Sequence, residues 1–178
     1  MRLIAITKPD FYDGEAAFIK RLFESGFDIV HLRKPNSDID NCRNILNELS
    51  SEERSKIVVH DYPELYYDFL LKGFHINKNI VKYPEGYQGF KTRSCHSLEE
   101  VKLYKGEFDY VFLSPIFDSI SKQGYKSSFT QDELRLASEE GVIDEKVVAL
   151  GGVTYDRISL LKDLGFGGAA MMGGAFIS

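Results

Sequence analysis

The residues best suited to chemistry gather where predicted strands end, and all four histidines of the chain are among them. The set comprises His31 and Arg33, His60 and Asp61, His75 and Asn77, Ser94 and His96, and Ser114. Many enzymes place their active sites at the carboxyl ends of parallel strands. Each histidine by itself also fits a hydrogen-bonded structural imidazole that caps a strand. Taken together, these residues predict a polar pocket.

Two glycine pairs point to an anion site in the last part of the sequence. Gly151 and Gly152 end the apolar run 147–150, and Gly173 and Gly174 end a second run, 167–172, after an intervening helix. The two pairs therefore follow neighbouring parallel strands at the same end. Glycine lets backbone N–H groups approach a ligand closely, and a helix start favours negative charge. The pattern predicts a phosphate site, while either pair alone also fits a tight turn.

The elements that position these residues alternate as strand and helix. Apolar runs predict eight strands, at 2–7, 28–34, 56–61, 73–77, 90–96, 109–113, 147–150 and 167–172. Residues 78–88 contain Pro84 and Gly86 and predict a loop in place of the fourth helix. The sequence ends just past the eighth strand, so we expect the eighth helix to be missing. A phosphate site after strands 7 and 8 is typical of the (β/α)8 TIM barrel, and the chain is predicted to be a small one.

Composition narrows the class of protein. The 178 residues contain no linker or low-complexity tract, which predicts a single domain over 1–178. The net charge of −5 argues against a nucleic-acid surface, and no stretch approaches the roughly 20 apolar residues of a membrane span. A signal-peptide pattern is absent, and Cys42 and Cys95 show no metal or redox spacing, so we expect a cytoplasmic protein. Tyr66 and Tyr67 are expected to be exposed. Their exposure and the expected absence of the eighth helix favour a homodimer.

Five segments of the chain, in their order and spacing, resemble the thiamine phosphate synthase and thiazole tautomerase superfamily. They are HLRKP (31–35), HDYPELYYDFLLKGFHIN (60–77), SCHSLEEV (94–101), FDYVFLSPIFDSISKQG (108–124) and ALGGVTYDRISLLKDLGFGGAAMMGGAF (149–176). The loop SPIFDSISK is similar to the family signature Gly-Pro-x-Phe-x-Thr-x-Thr-Lys. Ser119 and Ser121 take the places of the threonines, and Lys122 is the lysine. The resemblance covers nearly the whole chain.

The resemblance implies a transferase whose partners are two small phosphorylated heterocycles. Hydroxymethylpyrimidine pyrophosphate and thiazole phosphate would give thiamine phosphate and pyrophosphate with Mg²⁺. By position, the resemblance implies that Arg33 and Lys122 hold pyrophosphate, that Asp61 binds the metal, and that Ser94 lines the same pocket. It assigns the thiazole phosphate to Ser119, Ser121 and the backbone of Gly151, Gly152, Met172 and Gly173. Fixed cations and the metal would stabilise the leaving pyrophosphate while positive charge builds on the pyrimidine methylene.

Three positions depart from the synthase pattern. In the strand-two motif Gln-x-Arg-x-Lys, His31 replaces the glutamine and Pro35 the lysine, leaving Lys34 one position early and, by the pleat, facing away. The Asn-Asp pair of strand three appears as His60 and Asp61. The second acidic metal ligand that the synthase pattern carries soon after strand four is not found. Residues 78–79, Lys and Asn, occupy that neighbourhood instead.

These departures keep other functions open. A thiazole tautomerase only moves a proton, but the histidine of that branch falls where this chain has Pro115, which leaves His31, His60 or His96 as the acid/base. A non-catalytic binder of thiazole phosphate or thiamine phosphate would keep the phosphate site alone. A zinc-dependent barrel hydrolase would use the four histidines with Asp61.

Overall fold

A computed structural model describes residues 1–77, 80–118 and 127–172 of the chain. Eight parallel strands follow one another in chain order and close into a barrel. They are β1 (Arg2–Ile6), β2 (Ile29–Leu32), β3 (Ile57–Val59), β4 (Gly73–Ile76), β5 (Phe90–Cys95), β6 (Tyr110–Leu113), β7 (Val147–Ala149) and β8 (Gly168–Met172). Each predicted strand is present and is shorter than predicted at one or both ends. The predicted (β/α)8 class is confirmed.

Helices follow most of the strands. They are α1 (Glu15–Glu24), α2 (Ile39–Asn47), α3 (Ser51–Arg54), α4 (Glu64–Phe69), α5 (Leu98–Tyr104), α6 (Gln131–Glu139) and α7 (Ile158–Asp163), with 3₁₀ turns at Lys105–Glu107 and Tyr155–Arg157. The short α3 was not predicted, although its capping box of Ser50 and Glu53 is a recognisable start signal. None of the helices in the described ranges has the length and apolar character that a membrane crossing requires.

The chain divides into two compact units, Ile4–Lys91 and Met1–Leu3 with Thr92–Ser178. In the first unit β2 pairs with β3 and β3 with β4, with Leu32 opposite Val59 and Val59 opposite Phe74. These residues have at most 2% of their surface exposed, as expected for parallel strands that are covered on both faces. That the whole chain forms a single domain stays a prediction.

The connection from β4 to β5 has no helix in its described residues, 77 and 80–89, as predicted. Aromatic side chains pack there instead. The Tyr87 hydroxyl accepts a hydrogen bond from the Phe74 amide and donates one to the Phe90 carbonyl, both at 3.0 Å. A side chain thus links β4 to the first residue of β5. Tyr66 packs on Tyr87 and is half-buried, so only Tyr67 of the two tyrosines predicted at the surface is well exposed.

The second unit contains the strands that carry the predicted phosphate turns. Within it, β6 pairs with β7 through Leu113 and Ala149, and β7 with β8 through Ala149 and Ala169. Since these strands are adjacent and parallel, the residues after Ala149 and those at Met172 leave the sheet at the same end. Gly173 and Gly174 lie outside the described residues.

Candidate functional site

Three of the four histidines come together in the unit formed by Ile4–Lys91. His31 lies on β2, His60 directly after β3 and His75 on β4, and all three are buried. The Nδ1 of His31 lies 2.7 Å from the Nε2 of His60. The rings of His60 and His75 stack with their centroids 4.2 Å apart. We call these three residues the histidine cluster.

Burial disfavours the charged form of two residues of the histidine cluster. Burial holds the pKa of His31 well below its ordinary range, and the neighbouring His75 lowers it further. Burial is also the main cause of the strongly lowered pKa of His60, followed by His75, His31 and Arg33. A neutral imidazole is a poor proton donor. His31 and His60 are therefore poorly suited to the acid role that a tautomerase would require.

Arg33 follows β2 and is fixed through its main chain. Its amide donates to the Thr7 hydroxyl at 3.0 Å, and that hydroxyl donates to the Arg33 carbonyl at 3.4 Å. Its positive charge also contributes to the lowered pKa of His60. The Arg33 side chain is partly accessible, so its guanidinium can form hydrogen bonds with an anion.

Asp61 follows β3, and its Oδ2 accepts a hydrogen bond from the Lys34 amide at 3.2 Å. The main chain after β2 therefore orients this carboxylate. The Lys34 side chain points the other way, as predicted from the pleat, and its Nζ binds the Glu15 carboxylate. Asn77 has a structural role, since its amide nitrogen donates to the His60 carbonyl at 2.5 Å and its Oδ1 accepts from the Ile80 amide at 3.1 Å.

His96 belongs to the other unit and is exposed after β5. Its Nδ1 lies 3.1 Å from the Ser114 carbonyl and 3.3 Å from the Ser114 hydroxyl. The His96 amide donates to Glu100 at 2.7 Å. Ser94 lies on β5 opposite Phe112 and is partly accessible.

The Gly151–Gly152 turn has a packing role that the sequence did not reveal. Their φ angles are +93° and +62°. A Cβ on Gly151 would lie 2.9 Å from Pro115, and one on Gly152 would lie 2.5 Å from the Asp118 carbonyl. Within this turn, the Gly151 carbonyl accepts from the Phe117 amide at 3.1 Å. These glycines therefore let the loop after β6 lie against the turn after β7.

Arg157 holds this turn from the start of α7. Its Nη1 donates to the Gly152 carbonyl at 2.8 Å, and its guanidinium lies 4.5 Å from the centre of the Phe117 ring. Met172 ends β8 with 44% of its surface exposed. The remaining predicted phosphate and pyrophosphate ligands, Ser119, Ser121, Lys122 and Gly173, lie outside the described residues.

Lys34 and Glu15 are the charged pair that sequence reasoning missed. Both side chains are buried, and the Lys34 Nζ also donates to the carbonyls of Lys8 and Asp10, each at 2.9 Å. A signal was present, since Glu15 shares the buried face of α1 with Ile19 and Leu22 at helical spacing. A carboxylate on such a face requires a buried partner.

Comparison with known proteins identifies a family that matches the chain. Residues 3–175 match the family described as thiamine monophosphate synthase. A thiamine-phosphate synthase of Salinibacter ruber is 32% identical over 173 residues, which cover 90% of this chain and 74% of that protein. One of Halalkalibacterium halodurans is 24% identical, with 92% of this chain and 82% of that protein covered.

Solved structures are also similar to this chain. The crystal structure of thiamine phosphate pyrophosphorylase from Bacteroides thetaiotaomicron superposes with a TM-score of 0.88 at 41% identity, covering 97% of this chain and 83% of that one. The thiamine phosphate pyrophosphorylase of Pyrococcus furiosus shares the fold, with a TM-score of 0.74 at 20% identity and coverage of 96% and 85%. With a family match over almost its full length, this chain belongs to the thiamine monophosphate synthase family.

Proposed function

We propose that this chain is a thiamine phosphate synthase that joins hydroxymethylpyrimidine pyrophosphate to thiazole phosphate and releases pyrophosphate. The observation that carries the proposal is the family match over residues 3–175. Relatives and solved structures with synthase names support it, and they do not favour the tautomerase, binder or hydrolase alternatives.

Arg33 and Asp61 supply the pyrophosphate side of the reaction. Leu32 and Val59 are opposite each other on neighbouring strands, so Arg33 and Asp61 leave β2 and β3 at the same end. The guanidinium fork matches phosphate oxygens and neutralises charge on the leaving group as it departs. The oriented backbone of Arg33 limits the entropy lost when that contact forms.

Mg²⁺ fits the donors that are present. Proteins bind this ion through one or two carboxylates together with substrate phosphate oxygens and water. Asp61 would hold it, since its carboxylate is partly accessible and is oriented by the Lys34 amide. Bound Mg²⁺ supplies Lewis-acid stabilisation of the pyrophosphate oxygens.

The turn after β7 supports the thiazole phosphate side. The carbonyls of Gly151 and Gly152 accept hydrogen bonds from the loop after β6 and from Arg157, which fixes the backbone of the turn whose amides would bind a phosphate. Met172 leaves β8 at the same end. The roles of Ser119, Ser121, Lys122 and Gly173, and of Ser94 on the pyrophosphate side, rest on the family resemblance.

The test is to incubate purified protein with both substrates and Mg²⁺ and to measure thiamine phosphate by chromatography. We expect turnover that falls at least about 100-fold in Arg33→Ala, since a fixed cation at the leaving group is lost. Arg43→Ala is the matched control, because Arg43 pairs only at the surface with Asp40 and Asp68 in the described structure. It should retain turnover.

Two results would contradict the proposal. Binding of thiazole phosphate without product would indicate a binder, and interconversion of thiazole carboxylate phosphate isomers without thiamine phosphate would indicate a tautomerase. The homodimer and the cytoplasmic location stay predictions, and light scattering of the purified chain measures the first.

A further inference from the structure

We propose that His31, His60 and His75 form a binding site for one transition-metal ion of the zinc type, separate from the Mg²⁺ position at Asp61. One ring nitrogen from each residue lies within 4.8 Å of the ring nitrogens of the other two. Among the described residues, this is the group of histidine, cysteine and acidic side chains whose geometry could hold an ion. Neither Asp61 nor His96 is part of it.

The donor type decides which metal the site would select. Three imidazoles are a ligand set for Zn²⁺, Cu²⁺, Ni²⁺ or Co²⁺, whereas Mg²⁺ requires oxygen ligands. A three-histidine zinc site leaves a fourth position for water or an anion. The ion proposed here therefore differs in chemistry from the Mg²⁺ that accompanies pyrophosphate.

The spacing requires one small rearrangement. Zinc–nitrogen bonds of 2.0–2.1 Å in a tetrahedron place ligand nitrogens about 3.3 Å apart. The 2.7 Å contact between His31 and His60 is shorter than this, and the 4.8 Å limit of the group is longer. Rotation of the two rings about their side-chain bonds would open the His31–His60 hydrogen bond and draw all three nitrogens onto an ion.

The backbone beneath the histidine cluster is already fixed. His31 lies opposite Val58 in the β2–β3 ladder, and the His60 amide donates to the Leu32 carbonyl at 3.1 Å. Asn77 binds the His60 carbonyl. Ligands carried on paired strands lose little conformational entropy when they bind.

One charge opposes the site. Arg33 directly follows β2, the strand that carries His31, and its positive charge would repel a cation. A divalent ion here would therefore bind most tightly with an anion at its fourth position.

The experiment uses the full chain, freed of metals with a chelator and returned to buffer with excess Mg²⁺. Calorimetric titration should show one Zn²⁺ per chain, and Co²⁺ should give the visible absorption of a tetrahedral site. His75→Gln should weaken Zn²⁺ binding at least about 100-fold, because a direct ligand is lost. His96→Gln, which changes the histidine outside the cluster, should bind Zn²⁺ as the wild type does.

A second measurement does not depend on the variants folding. X-ray absorption at the zinc edge of the wild-type protein should show three imidazole ligands. Absence of stoichiometric Zn²⁺, sulfur ligands from Cys42 or Cys95, or unchanged affinity in folded His75→Gln would overturn the proposal. The first of these would identify the cluster as a metal-free stacked network. Thiamine phosphate formation is measured separately with Mg²⁺, so either proposal can fail without the other.

Discussion

The Nζ of Lys34 lies 2.6 and 2.7 Å from the two carboxylate oxygens of Glu15, and both side chains are buried. The same ammonium binds the carbonyls of Lys8 and Asp10 and lies 4.6 Å from the centre of the Phe11 ring. A lysine that follows Arg33 directly therefore anchors the segment after β1 to α1. The Lys34 side chain therefore supports the structure behind Arg33 and does not face the substrate.

Lys34→Met should destabilise the protein by about 3–5 kcal/mol, because it leaves the Glu15 carboxylate buried without its partner. Urea unfolding followed by circular dichroism measures the change. Lys56→Met is the control, since Lys56 pairs with the exposed Glu52, and should cost at most about 1 kcal/mol. Equal losses in the two variants would show that the buried pair adds nothing to stability.

The cost of Lys34→Met should depend on pH. Burial raises the pKa of Glu15, and Lys34 opposes the rise. Without Lys34, the folded protein holds the Glu15 proton to higher pH than the unfolded chain does, so stability is greatest at low pH and is lost as pH rises through the folded-state pKa. Unfolding at about pH 5 and about pH 8 should show a smaller deficit at the lower value. Lys34→Met with Glu15→Gln, which has no carboxyl to titrate, should not show this trend.

Tyr87→Phe should cost about 1–3 kcal/mol, because the buried Phe74 amide loses its acceptor and the ring volume is kept. Chemical denaturation of the two proteins gives the difference. Tyr67→Phe, at a position with 53% exposure, should change stability by less than about 0.5 kcal/mol. If the two substitutions changed stability equally, the hydrogen bonds of the Tyr87 hydroxyl between β4 and β5 would not stabilise the protein.

Gly152→Ala should be more harmful than Gly141→Ala. Both glycines have positive φ, at +62° and +71°, so both variants pay about 1–2 kcal/mol of backbone strain. Only at Gly152 would the new Cβ meet neighbouring atoms, with the Asp118 carbonyl 2.5 Å away, while nothing lies within 4 Å at Gly141. Thermal unfolding should show about 1–3 kcal/mol of additional loss at Gly152. Calorimetry with thiazole phosphate should show weakened binding there alone.

Local patterns were sufficient to predict the fold. Strands such as β7 and β8 are short apolar runs that end in polar residues or glycine, and this signal is contained within each segment. Pro84 and Gly86 correctly marked a connection that has no helix in its described residues, 77 and 80–89. The grouping of His31, His60 and His75 followed from strand order, since the ends of neighbouring parallel strands meet.

Contacts between distant segments could not be predicted. The Lys34–Glu15 pair joins residues 19 positions apart, and pleat alternation showed only that Lys34 faces away from the site. Sequence also placed His96 at a strand end, and in the structure it is exposed after β5 with its Nδ1 3.1 Å from the Ser114 carbonyl, a contact that the sequence did not indicate. Gly151 and Gly152 have positive φ angles in a turn after β7, which agrees with the tight-turn alternative, while their predicted phosphate role stays a prediction. Their contact with the loop after β6 depends on how two connections meet in space.

The hydroxyl of Tyr87 has a consequence for how water could reach the inside of the barrel. The buried Phe74 amide donates to the Tyr87 hydroxyl, a side chain of the connection between β4 and β5. A swing of that one ring would therefore expose the amide to solvent exchange while the strands stay in place. Deuterium uptake at the Phe74 amide would then report rotation of the Tyr87 ring and not separation of the strands.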